Sequence, residues 1–161
     1  MSKYYIGLDQ SSKVTGYGVI DDKGQLIDFG IVDISGRNVI ERATKLIRWL
    51  DGFLAKYDDD EYIVGLEDVK GSIQNYQTTI VLAKILGILE LTLHEQNIDY
   101  QVIAPGTWRK INKIKGKTRP EKKANAIKVI KERYNKKVKE DAAEALCIAY
   151  HLFKNDNWSA F

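Results

Sequence analysis

Gly7-Leu8-Asp9-Gln10-Ser11-Ser12-Lys13-Val14-Thr15-Gly16-Tyr17-Gly18-Val19-Ile20 reads as two extended segments joined through a small polar turn. Tyr4 to Asp9 is one short β-rich run and Gly16 to Asp21 is another. Asp22-Lys23-Gly24 supplies turn chemistry, with Gly24 free to take a positive φ, and Leu26 to Ile34 returns as the arm of a hairpin. Three antiparallel strands at the N-terminus are the simplest result, and Asp9 stands at the end of the first.

Working outward, Val39, Ala43, Leu46, Ile47, Leu50, Phe53 and Leu54 recur at helical spacing and predict one amphipathic helix. Tyr62 to Glu67 reads as a fourth, buried strand ending on a carboxylate, followed by a polar loop from Asp68 to Gln77. From about Thr78 to Gln96 a long helix carries apolar residues on more than one face, so it needs two partners: the sheet and, on the other side, a second copy of the chain. Tyr100 to Ile103 is a fifth strand, and a basic loop is expected from Arg109 to Lys117. Thr118-Arg119-Pro120-Glu121 is a helix start with a capping box, and the last helix is expected from about Lys139 to Phe153. The order βββαβαβαα predicts a mixed α/β class: a five-stranded mixed sheet flanked by helices, in one domain spanning 1–161.

The net charge of +3 conceals a strong asymmetry. Between Arg109 and Lys139 there are 14 Lys and Arg against Glu121 and Glu132, while the rest of the chain is net acidic. A concentrated cationic segment reads as a footprint for a polyanion, against the plainer alternative of a solvated lysine-rich helix face. The longest apolar run, Ile80 to Leu93, is short for a bilayer and is interrupted by Lys84, Gly87 and Glu90. No N-terminal run resembles a signal peptide. The single Cys147, in an Ala-rich helical stretch, reads as a small core residue compatible with a reducing cytoplasm.

Four acids stand out by placement. Asp9 and Glu67 each end an apolar strand, and Asp141 and Glu144 lie one helical turn apart among Ala142, Ala143, Ala145 and Ala149. If the first and fourth strands are neighbours, Asp9 and Glu67 project side by side, and the alanines let the helix bring its pair close above them. Two like charges about 4 Å apart repel by roughly 4 kcal/mol at an effective dielectric of about 20, a penalty that divalent cations remove. A hard all-oxygen donor set favours Mg²⁺ or Mn²⁺ over zinc, and two such ions suit phosphodiester hydrolysis without a nucleophilic side chain. Singly, each acid is equally a turn former or a wet helix face. His94 and His151 have no metal spacing and read as structural or surface residues.

At these residues the chain resembles the RuvC family of Holliday junction resolvases. Gly7 to Ile20 is similar to the family's opening motif, Gly65-Leu66-Glu67-Asp68-Val69 to the segment holding its second carboxylate, and Asp141 to Ala149 to its C-terminal acidic helix. The compact length and many lysines resemble the versions carried by lactococcal bacteriophages. The resemblance implies an RNase H-like fold, a homodimer, and Mg²⁺-dependent nicking of two opposed strands of a four-way DNA junction, leaving 5′-phosphates and 3′-hydroxyls. It implies Asp9, Glu67, Asp141 and Glu144 as metal ligands, Arg109 and Lys122 near the scissile region, and Lys110, Lys113, Lys115, Lys117, Arg119 and Lys123 as phosphate contacts. Two positions depart from the family: Glu144 stands where Asp is commoner, and Lys70 stands where bacterial members place an aromatic that helps open the junction. Tyr76 is the candidate substitute, and a looser substrate range including other branched DNA is expected.

Two rival readings compete. An actin-like or sugar-kinase phosphotransferase shares the strand-Asp-small-polar opening, but 161 residues are too few for its two lobes and it does not call for the cationic segment. A non-catalytic branched-DNA-binding module accounts for the basic charge, but four acids on its DNA face would repel phosphate.

Overall fold

The three-dimensional description is a computed structural model of residues 1–11, 13–71 and 74–158, with the side chains of Asn157 and Trp158 not described. Ser12, in the polar turn quoted above, therefore lies outside the described residues. The strands are β1 (Lys3–Gln10), β2 (Val14–Asp21), β3 (Leu26–Asp33), β4 (Glu61–Glu67) and β5 (Tyr100–Ile103). The helices are α1 (Val39–Leu54), α2 (Tyr76–Glu95), α3 (Pro105–Ile111), α4 (Arg119–Tyr134) and α5 (Glu140–Trp158). The sheet order is β3-β2-β1-β4-β5, with β3-β2 and β2-β1 paired antiparallel and β1-β4 and β4-β5 paired parallel. It is the expected five-stranded mixed sheet.

Strand alternation sends each strand's residues to opposite faces. On one face Ile6, Leu8, Val19, Val64 and Leu66 pack against Leu46, Leu50 and Phe53 of α1 and Ile85, Leu86, Leu89 and Leu93 of α2. On the other, Tyr5, Ile20 and Ile103 meet Ala142, Leu146, Ile148 and Ala149 of α5, with Trp108 of α3 and Ala126 and Ile130 of α4 closing the layer. The result is a three-layer helix–sheet–helix sandwich.

The α5 face contains a row of glycines. Gly7 of β1 is paired with Gly18 of β2 on one side and Gly65 of β4 on the other. A Cβ at Gly7 would stand 2.0 Å from the Ala145 carbonyl oxygen, and one at Gly16 would stand 2.0 Å from that of Asp141. These are backbone atoms, which cannot rotate away. The absent side chains of the glycines and the small alanines of α5 bring helix and sheet backbones together, and Asp9 and Glu67 follow Gly7 and Gly65 on the same face.

Three boundaries differ from the sequence reading. The stretch assigned to a basic loop from Arg109 begins inside α3, because Pro105 opens a helical turn at Ala104 and the buried Trp108 anchors it. Tyr76 is the first residue of α2 and not part of the preceding loop. α5 runs on to Trp158, beyond the expected end at Phe153. By length and composition α2 is also long and apolar enough to cross a membrane, longer than its uninterrupted apolar run suggests, and its Ile85, Leu86, Leu89 and Leu93 close the core. The capping box at Thr118 and Glu121 forms as read.

Gly7→Ala is expected to destabilise the fold by about 3 kcal/mol or more, since the added methyl meets backbone. Gly52→Ala, where nothing lies within 4 Å of the added carbon, is expected to raise stability by up to about 1 kcal/mol. Denaturant unfolding of the two variants checks the contrast; equal effects would mean that α5 does not sit on the glycine row.

Candidate active site

The parallel pairing of β1 with β4 places Leu8 opposite Leu66, so Asp9 and Glu67 follow side by side at the strand ends. α5 crosses this edge with Asp141 and Glu144 directed toward it. One carboxylate oxygen from each of Asp9, Asp141 and Glu144 lies within 4.8 Å of the others. Glu67 is outside that tight group of three but lines the same cleft, which has a volume of about 580 Å³. Its Oε2 accepts a 2.9 Å hydrogen bond from the indole N–H of Trp108, and its backbone carbonyl accepts one of 2.6 Å from the Gln10 amide. Trp108 and Gln10 were not singled out in the sequence. A fully buried tryptophan needs a partner for its N–H, but nothing in linear spacing says that the partner is Glu67.

Cationic side chains line the same cleft. Arg109, Arg119, Lys122 and Lys123 line the cleft together with Lys70. Lys123 is ion-paired with Glu140, and the buried Arg109 Nε has no hydrogen-bond partner among the described residues. Lys110, Lys113, Lys115 and Lys117 are exposed and are not among the lining residues; Lys113 takes a left-handed φ of 57° just past the end of α3. Tyr76 is 64% exposed and also stands outside the lining. Cys147 is buried, and burial pushes its thiol up to about 12, consistent with a core role. His94 is exposed, whereas His151 is buried and contacts the Asn155 side chain at 2.9 Å.

Comparison with known proteins places this arrangement. The family model for crossover junction endodeoxyribonuclease RuvC matches residues 5–151. The chain belongs to the RuvC family. Crossover junction endodeoxyribonuclease RuvC of Campylobacter lari is 27% identical over 126 residues, covering 76% of this chain and 78% of the relative. The RuvC of Orientia tsutsugamushi is 24% identical over 149 residues, covering 90% and 91%. Thermus thermophilus RuvC, solved in complex with a Holliday junction substrate, superposes with a TM-score of 0.72 at 17% identity over 98% of this chain and 96% of that one. The fold is thus RNase H-like, and the activity is that of a metal-dependent endodeoxyribonuclease acting at crossover junctions.

For such an enzyme the electrostatics of the cleft are informative. Burial, then the charges of Glu67 and Glu144, hold the Asp9 carboxyl well above the ordinary aspartate range. Burial and Glu144 likewise lift Glu67 to about 7, against the lowering influence of the Trp108 hydrogen bond and of Arg109 and Arg119. Without a cation the cluster therefore keeps protons that ordinary carboxyls have lost. All the acidic donors are hard oxygens, and neither His nor Cys lines the cleft, which fits a hard divalent ion.

This has a consequence for stability. Folded Glu67 holds its proton to about pH 7, whereas an ordinary Glu releases it near 4.5, so the folded state binds more protons between those values and metal-free stability falls as pH rises through them. The contribution is on the order of 3 kcal/mol. Burial lowers the pKa of His151, which acts in the opposite direction, so the carboxylate's share is read by comparison with Glu67→Gln. Thermal unfolding in EDTA is expected to show the fall in the wild-type chain, its reduction in the variant, and its suppression by millimolar Mg²⁺. A pH slope identical in both chains would show that Glu67 is not a strained carboxyl.

Proposed function

We propose that this chain is a single RNase H-like nuclease domain that cuts Holliday junctions and other branched DNA by two-metal-ion phosphodiester hydrolysis, with Asp9, Glu67, Asp141 and Glu144 holding Mg²⁺ and Mn²⁺ able to replace it. The observation that carries this reading is the convergence of Asp9 with Asp141 and Glu144, from opposite ends of the sequence, to within 4.8 Å in a cleft that Glu67 also lines. When bound, the ions would activate a water and stabilise the leaving oxygen.

The chain's own residues do the rest. Arg109, Arg119 and Lys122 present positive charge beside the acids, so a phosphate is drawn into a cleft whose acids would otherwise repel it. Lys110, Lys113, Lys115 and Lys117 lie outside the cleft on α3 and the segment leading to α4, where they hold flanking phosphates. The cleft residue following Val69 is Lys70 and not an aromatic, which supports a looser branched-substrate range; Tyr76 at the start of α2 is the residue available to stack on an opened base.

Dimerisation is supported by α2. Tyr76, Ala83, Gly87 and Leu91 are exposed along one stripe of this helix, with Leu91 57% exposed, and a second copy docked there would cover it. The lysine-rich, compact chain fits the lactococcal-phage type of RuvC, and its one free, buried thiol fits the reducing cytoplasm of a host cell.

Asp9→Asn is expected to lower cleavage of an end-labelled four-way junction in Mg²⁺ by at least about 10³-fold while junction binding persists; normal turnover by the pure variant would overturn the metal-site reading. Leu91→Glu is expected to give a monomer in light scattering at micromolar concentration with its fold intact. A persistent dimer would move the interface off α2.

A further inference from the structure

The Glu67 side chain is tied to an indole. Its Oε2 takes the Trp108 indole N–H at 2.9 Å, and Oε1 makes no hydrogen bond among the described residues. Trp108 is itself fully buried, and it is fixed from behind. Its carbonyl accepts from the backbone N–H of Asn112 at 3.2 Å and from the Asn112 side-chain amide at 2.7 Å. The same amide donates to the Cys147 carbonyl of α5 at 2.8 Å. Asn112 in turn accepts from Arg133 Nη1 at 2.9 Å, and the Arg133 guanidinium lies 3.5 Å from the centre of the Tyr150 ring, again on α5. The chain of contacts runs from the helix carrying Asp141 and Glu144, through α3, to the strand end carrying Glu67.

We infer that Trp108 is the positioning residue for the second carboxylate, holding one oxygen of Glu67 so that the other is kept for the divalent ion, in register with the acids of α5. The inference deepens the metal-site reading above and rests on it. An indole suits the task because it donates one hydrogen bond and carries no net charge. Lysine or arginine in its place would neutralise Glu67 and compete with the ion. The neighbouring Arg109 guanidinium sits over the Trp108 ring, 5.0 Å from its centre, and acts on Glu67 through its charge. Gln10 holds only the Glu67 backbone, leaving its side-chain rotamer to Trp108. Partners that orient a metal ligand in this way typically change metal affinity by about 10- to 100-fold when removed.

Mn²⁺ binding to the full chain without DNA, followed by calorimetry, tests this independently of turnover. Trp108→Phe keeps most of the ring volume and removes the N–H. It is expected to weaken Mn²⁺ binding by about 10-fold or more in the wild-type background, and to have little further effect in a Glu67→Gln background. A merely structural tryptophan would lower the melting temperature without this background dependence. Unchanged or tighter Mn²⁺ binding by Trp108→Phe, with Glu67→Gln weakened, overturns the positioning role and leaves the metal site standing. No Mn²⁺ binding by the wild-type chain overturns both. Should Trp108→Phe fail to fold, the ¹⁵N-labelled indole resonance of Trp108 in the wild-type chain decides. It is expected to shift on Mg²⁺ addition and in Glu67→Gln, and a resonance that moves in neither case overturns the inference.

Discussion

The distance between α5 and the sheet governs everything the cleft does. In ordinary helix-on-sheet packing, side chains fill the space and hold the two backbones apart. Here Gly7, Gly16, Gly18 and Gly65 remove side chains from the sheet, and Ala142, Ala145 and Ala149 leave only methyls on the helix. The helix backbone settles until the Ala145 and Asp141 carbonyls meet the space where a Cβ would be. At that depth the short carboxylate arm of Asp9 reaches the acids of α5. An added methylene layer would part Asp9 from Asp141 and Glu144.

Such closeness is electrostatically unfavourable, and the fold offsets it locally. The cleft is lined by bases as well as acids: Asp9, Glu67, Asp141 and Glu144 share it with Arg109, Arg119, Lys122 and Lys123. The basic side chains do not neutralise the acids outright, since Asp9 and Glu67 remain raised above their ordinary ranges. That residual strain favours cation binding. Acids fully paired with lysine would leave less negative charge to attract a cation.

The sequence carried the parts of this arrangement that are set by local pattern. Strand alternation placed Asp9 and Glu67 at strand ends, the spacing from Asp141 to Glu144 put both on one helical face, and the Thr118–Glu121 box marked the start of α4. The glycines were visible as letters, but their alignment into a row depends on the register of three strands, which no single segment encodes. α3 was hidden because seven residues are too few for a periodic signal, and its anchor is one tryptophan. The hydrogen bond from Trp108 to Glu67 spans 41 residues. Contacts of that kind are set by tertiary packing, so linear spacing holds no trace of them.

α2 couples the cleft to the exterior. Leu82 and Lys70 line the cleft near the start of this helix, Leu86, Leu89 and Leu93 of its inner face close the core, and Tyr76, Ala83, Gly87 and Leu91 are left outside. A helix apolar on more than one side costs solubility unless its outer stripe is covered, and in the proposed dimer a second copy would cover it with the same residues by symmetry. Two clefts joined through a pair of such helices would be held at a fixed separation by elements that are rigid along their length. That geometry suits a substrate offering two equivalent strands, because the spacing is then set by packed backbone and not by a flexible linker. In such a dimer, the stripe that looks like excess hydrophobicity in the isolated chain would set which DNA shapes two clefts could grip at once.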